Sequence, residues 1–250
     1  MSGEIFFDET VVDKDLSTEI DLRLFGFSMT VECHGKVEDR WDDGNRLLFL
    51  FGERHCDTDE KELNILNAVH LIDQAVAGCV GDEIPFADFA NFEQADFERR
   101  SGELSREHDS VNSVIAHEKS RAYLTTFFRF GETVKTLRPA LEVHCVEDPA
   151  HRAEASRVIE AYQLRGISYP SEPFPGFPTF EAHPIQEIRE TAFIENMLAL
   201  WDNTLLDPRR PRAAILNTGS FHCPRIAARL KNLKISYIYI SQVRKGIGTQ

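Results

Sequence analysis

The sequence predicts an α/β fold: a central mixed, largely parallel sheet flanked by helices. Three observations predict it. Short apolar runs such as Leu47-Leu48-Phe49-Leu50-Phe51 and Ala213-Ala214-Ile215-Leu216-Asn217 read as strands covered on both faces. A glycine stands at or just beyond the end of each, and a helical segment follows. Strand and helix signals then alternate along the chain, as stacked βαβ units require.

The elements follow in order. Residues 1–20 are polar and acidic and are expected to form a flexible arm, with a single α/β domain over 21–250. Ile20 to Glu38 holds one or two short strands, and Asp42-Asp43-Gly44-Asn45 is a turn. After the strand Leu47–Phe51, Asp57 and Glu60 stand at capping-box spacing before a helix expected over Thr58–Ala77. Residues 81–110, with Phe86, Phe89, Phe92 and Phe97 among acids, read as an inserted or covering segment. Val111–Arg129 is periodic and reads as helix, although Val114–Glu118 also fits a short strand. Ala140–Glu147 is a strand. Asp148-Pro149 then starts a helix that runs to about Arg165, with Gly166 as its cap. Five prolines and three phenylalanines between Tyr169 and Pro184 make 169–184 a stiff aromatic loop. Ile185–Asp202 is an amphipathic helix. A strand at Ala213–Asn217, a helix from Pro224 to Asn232 and a strand at Ile235–Ile240 complete the pattern.

Composition bounds the function. The 250 residues carry 28 Lys+Arg against 41 Asp+Glu, a net charge of −13, and 42% are apolar. That balance excludes collagen-like, wholly disordered and disulfide-scaffold classes. The acidity argues against a nucleic-acid partner, which needs a basic face. The short clusters at Arg99-Arg100 and Arg209-Arg210 read as solvated charge. No apolar run is long enough to span a bilayer, and the N-terminus shows no signal-peptide pattern. Five cysteines without a Cys-x-x-Cys pair point to a reducing, cytoplasmic setting.

Two segments share one grammar: Gly52-Glu53-Arg54-His55 after the first long apolar strand, and Gly219-Ser220-Phe221-His222 after Ile215–Thr218. Ligands of α/β sheets sit beyond the carboxyl ends of the strands. If these two strands are neighbours, His55, His222 and Glu53 face one crevice. Imidazole and carboxylate suit zinc, manganese or iron, so Glu53, His55 and His222 are candidate ligands of a divalent metal that would acidify a water. Without a metal, a histidine oriented by Glu53 would be the general base, and Arg189 would steady an anionic intermediate.

These motifs resemble the superfamily of erythromycin esterase, the Tiki and TraB proteins and the haem-uptake protein ChaN. The early Gly-Glu-x-His, the late Gly-x-x-His and the arginine-bearing helix Ile188–Ile194 carry the likeness. It implies the erythromycin esterase/ChaN-like α/β fold and a hydrolytic site, metal-dependent in some members, with Glu53, His55, Arg189 and His222 as its residues. It also implies a second glutamate at the end of the next core strand, for which Glu93, Glu118 and Glu147 compete.

The expected function is hydrolysis of an ester or amide bond in a small-molecule or peptide substrate. The alternative is a binding protein on the same scaffold that holds haem or a similar ligand, and a third is an interaction protein whose acidic face docks a basic partner. Four cysteines adjoin a histidine, and they read first as small buried hydrophobes. The sharper reading makes Cys56 or Cys223 a nucleophile, which needs a depressed thiol pKa.

Overall fold

Buried runs become the strands of the central sheet. The computed structural model describes residues 10–42, 46–54, 57–83, 94–107, 110–122, 130–164, 179–180, 182–207 and 210–246. The strands are β1 (Thr10–Val12), β2 (Ser17–Asp21), β3 (Thr30–His34), β4 (Lys36–Trp41), β5 (Leu47–Glu53), β6 (Ala77–Asp82), β7 (Glu142–Cys145), β8 (Ala213–Gly219), β9 (Ser236–Ser241) and β10 (Arg244–Gly246). The helices are α1 (Thr58–Asp73), α2 (Gln94–Glu107), α3 (Val111–Ala122), α4 (Phe130–Leu137), α5 (Pro149–Gln163), α6 (Pro184–Leu205) and α7 (Cys223–Asn232).

The main sheet has six strands in the order β4-β9-β5-β8-β6-β7. The edge strand β4 is antiparallel to β9, and the other pairs are parallel. The fold is therefore α/β with a mixed, largely parallel sheet, as expected. β5 and β8 are buried at every position, because helices cover both faces. Alternation along the strands divides the core. Leu47, Phe49, Phe51, Val80 and Ile215 pack with Ile65 and Val69 of α1 and Val134 of α4. Leu48, Leu50, Ala214 and Leu216 pack with Phe193, Met197 and Trp201 of α6 and Ile226 of α7. No helix among the described residues is long and apolar enough to cross a membrane.

Several expectations change. From Thr10 onward the expected flexible arm is strand: β1 pairs with β10 and β2 with β3, while residues 1–9 lie outside the described residues. α1 stops at Asp73, four residues early, because the chain turns through Ala75 (φ 54°) and re-enters the sheet as β6. Asp57 does cap α1, but Glu60 accepts the Arg54 N–H at 2.7 Å, so the reciprocal half of the capping box is not made. Val111–Ala122 is helix, which places Glu118 on α3 and not at a strand end. Of the covering segment, 84–93 lie outside the described residues and Gln94–Glu107 is helix. The aromatic loop lies outside them up to residue 178. α6 begins at Pro184 with His183 as N-cap and is longer than expected.

The small residues of β6 are required by packing. A Cβ at Gly81 would lie 2.6 Å from both Met197 Sδ and Val146 Cγ1. Gly81→Ala is therefore expected to cost about 1–3 kcal/mol of overpacking. A urea melt should show a lower midpoint at unchanged slope.

Candidate active site

β5 and β8 are parallel neighbours, with Gly52 opposite Thr218 and Glu53 opposite Gly219. The two Gly-x-x-His segments thus leave the sheet side by side at its carboxyl edge. His55 and Cys56 lie outside the described residues. The acids and the remaining histidine separate into two buried clusters, one on each face of the sheet.

On the α6/α7 face, Arg189 is the hub. It is fixed by its place on α6 and is almost fully buried. Its Nε donates to Glu147 Oε1 at 2.7 Å and its Nη2 to Glu147 Oε2 at 2.5 Å, a two-pronged pair. Nη2 also donates to Glu83 Oε1 at 2.7 Å, and Nη1 to Gln186 Oε1 at 2.8 Å. Burial works against the guanidinium's charge, but the hydrogen bonds and charges of Glu147 and Glu83 outweigh it and raise its pKa. Glu83, one residue past β6, accepts the Gly219 N–H through Oε2 at 2.8 Å. It thereby ties the end of β6 to the end of β8.

His222 is fully buried where α7 begins. Its Nδ1 lies 2.8 Å from Glu190 Oε1. Burial would raise the Glu190 carboxyl, but hydrogen bonds from His222 and Arg225 prevail and hold it below the usual range, so Glu190 is an anion. An anion at Nδ1 places a ring proton there. Among the described residues Nε2 has no hydrogen-bond partner, and it lies 3.8 Å from Glu83 Oε1. Phe221 stacks on the imidazole at 3.8 Å between centroids, and Phe193 meets it edge-on at 5.3 Å. Beside the cluster is a cleft of about 160 Å³ whose floor includes Glu83 and Arg189, with Phe221 in its wall.

On the α1 face, alternation points Glu53 with Phe49 and Phe51, away from His222. Its carboxylate is 3.8 Å from the buried Lys61 ammonium of α1. Asp82 accepts from Asn217 Nδ2 at 2.9 Å and from the Gly131 N–H at 2.9 Å. Glu53 therefore does not orient His222, while His55 lies outside the described residues. Glu53 serves the α1 cluster, while Glu190 takes the orienting place at His222.

Burial, with the Glu53 charge second, pushes the Asp82 carboxyl up to about 7. The folded state then holds this proton more tightly than the unfolded chain does. Its contribution to stability is full below about pH 4 and is lost as pH rises through about 7. Unfolding free energy is expected to fall across that window by up to about 1.4 kcal/mol per pH unit. Asp82→Asn, which cannot titrate, should flatten the limb; an unchanged slope in urea melts from pH 4 to 8 would refute this assignment.

Among the described residues, no group of three or more His, Cys, Asp and Glu side chains is arranged to hold a metal ion. The reason is visible in the clusters. The Arg189 guanidinium is the counter-charge that bridges Glu83 and Glu147, Glu190 engages His222 Nδ1, and Glu53 faces elsewhere. His55, the third member of the metal set expected from the sequence, lies outside the described residues. Burial pushes the thiols of Cys33, Cys79, Cys145 and Cys223 up to about 12, the reverse of what a thiolate nucleophile needs.

Of the sequence candidates, the structure joins Arg189, His222 and Glu147, sets Glu53 apart and places Glu118 on α3. Glu83 and Glu190 were not among the candidates. An acid pair, Asp82-Glu83, closing a short run of small residues is the signal that could have found Glu83. Compared with known proteins, the chain matches no family model, no curated protein and no solved structure.

Proposed function

We propose that this chain is a hydrolase of ester or amide bonds, with His222 as general base. The observation that carries the reading is the buried imidazole held at Nδ1 by an ionised glutamate while Nε2 has no hydrogen-bond partner among the described residues. An unsatisfied buried acceptor costs about 1–3 kcal/mol, and such a cost persists where function uses the atom.

The chemistry follows from the geometry. In the proposed step Nε2, which lies behind Phe221 and Glu83 of the cleft lining, takes a proton from a water admitted past them as the water oxygen bonds to the substrate carbonyl carbon. The carbonyl π electrons move to oxygen, and Arg189 lies at the cleft floor to stabilise that charge. Glu190 stabilises the imidazolium. The imidazolium then returns its proton to the leaving oxygen or nitrogen as the bond to carbon breaks. Glu83 holds Arg189 and Gly219 in place. It stands after the strand that follows β5, where the resemblance to the erythromycin esterase/ChaN-like superfamily calls for a second glutamate, and this supports the reading.

The test is a screen of ester and amide substrates with purified protein, before and after exhaustive chelation. Turnover that survives chelation is the expected result. No turnover across the screen would remove the proposal, and turnover lost with the metal would replace His222 with a metal-bound nucleophile.

A further inference from the structure

The cleft beside Arg189 has a polarity that hydrolysis alone does not require. One wall is a single stripe of α5, Arg152, Ala155, Ser156 and Ile159, at the spacing that puts four side chains on one helix face. Phe180, packed with Ala155 and Ile159, and Phe221 also line the cleft. The cavity is thus apolar and aromatic along its length, and charged at its floor and at the amino end of α5.

The charges there differ in what they show to solvent. The acids are spent on buried partners: the Glu83 side chain is 2% exposed and that of Glu147 is 0%. Arg152 pairs with Glu147 at 3.4 Å yet keeps 32% exposure. Among the described lining residues, the charged group most exposed to a ligand is therefore the Arg152 guanidinium, in a chain of net charge −13. Asp148 occupies the Ala150 and His151 N–H groups, so the guanidinium and not the helix terminus would grip an anion.

We infer that the substrate carries an oxyanion, a carboxylate or a phosphate, gripped by Arg152 and joined to an apolar segment that lies along the cleft against Ile159, Phe180 and Phe221. This names the substrate class of the proposed hydrolytic site and rests on that reading for the reaction, though not for the binding. A guanidinium forms charge-assisted hydrogen bonds with such a group, and the neutral analogue forfeits them. One such contact corresponds to about 10- to 100-fold in affinity.

Two measurements test it. Direct titration with 4-phenylbutyrate, 4-phenylbutyl phosphate and the neutral 4-phenylbutanol reads binding without turnover. Wild type is expected to bind one of the anions at least about 10-fold more tightly than the alcohol, and the tighter anion identifies the oxyanion. Arg152→Gln is expected to erase the preference, and Arg152→Lys to recover part of it through charge alone. Equal binding of all three ligands, or an undiminished preference in Arg152→Gln, would overturn the inference. The second measurement compares kcat/KM for 4-nitrophenyl esters of glutarate and of pentanoate. A preference for the glutarate ester that disappears in Arg152→Gln supports the inference. Turnover without preference for either ester sinks it and leaves the hydrolase. Charge-selective binding with no turnover of any ester keeps it and sinks the hydrolase.

Discussion

His222→Gln is expected to lower kcat by about 10²–10⁴-fold, the contribution of a positioned general base, while KM changes little. Glutamine can still donate an amide N–H to Glu190 and fill much of the space between Phe221 and Phe193, but it offers no basic nitrogen. The split between kcat and KM matters because a merely structural role would move both through misfolding. Neither His222 nor Glu190 is among the cleft-lining residues, so substrate binding has no direct reason to weaken. Glu190→Gln should give a similar kcat loss by another route. Arg225 and the imidazole would lose their shared anion, and a neutral amide no longer selects the tautomer with its proton on Nδ1. Steady-state kinetics of both variants, with melting curves as control, decide it. Full kcat in His222→Gln would remove the base from the reaction.

How far this site could be read from the sequence depends on the kind of signal each residue leaves. The strands that carry the edge are legible because Leu47–Phe51 and Ala213–Leu216 must satisfy covering layers on both faces, and only continuous apolar runs do that. Their adjacency was a condition that no local signal in the sequence supplies, and the structure meets it with Gly52 opposite Thr218. β6 is hidden because close approach by Met197, Val146 and Pro211 demands glycine, which weakens the strand signal in Ala77–Asp82. Without the strand, Glu83 has no visible place. Glu190 leaves no local trace either: an acid in an amphipathic helix reads as solvated until the neighbouring helix brings His222 and Arg225 to it. Glu53 shows the opposite problem. Its position at the strand end is legible, but alternation says only that it shares a face with Phe49 and Phe51. Which helices cover that face is decided by tertiary packing. Arg189 and Glu147 were both legible as candidates, yet their pairing, 42 residues apart, belongs to the folded sheet alone.

That pairing makes Arg189 the position where stability is most exposed to substitution. Arg189→Met is expected to destabilise the fold by about 3–5 kcal/mol, because removing one partner leaves buried charges uncompensated. In a chain of this length that corresponds to a melting temperature lower by roughly 6–20 °C. The Gly219 N–H on Glu83 and the more distant Arg152 on Glu147 remain, but neither replaces the guanidinium charge that both anions share. Arg189→Lys should recover only a fraction. A single ammonium cannot reproduce the fork that meets both Glu147 oxygens and Glu83 together. The exposed Arg99–Glu103 pair, whose side chains are 58% and 49% exposed, is the control, and Arg99→Met there should leave the melting temperature unchanged within error. A double variant carries the argument further. Glu147→Gln in the Arg189→Met background removes one stranded anion, so the pair of substitutions should be less damaging than the sum of the singles. Strict additivity, or an Arg189→Met protein that melts like wild type, would mean that the guanidinium does not bind the ends of β6 and β7 together, and the cleft floor would lose its organising charge.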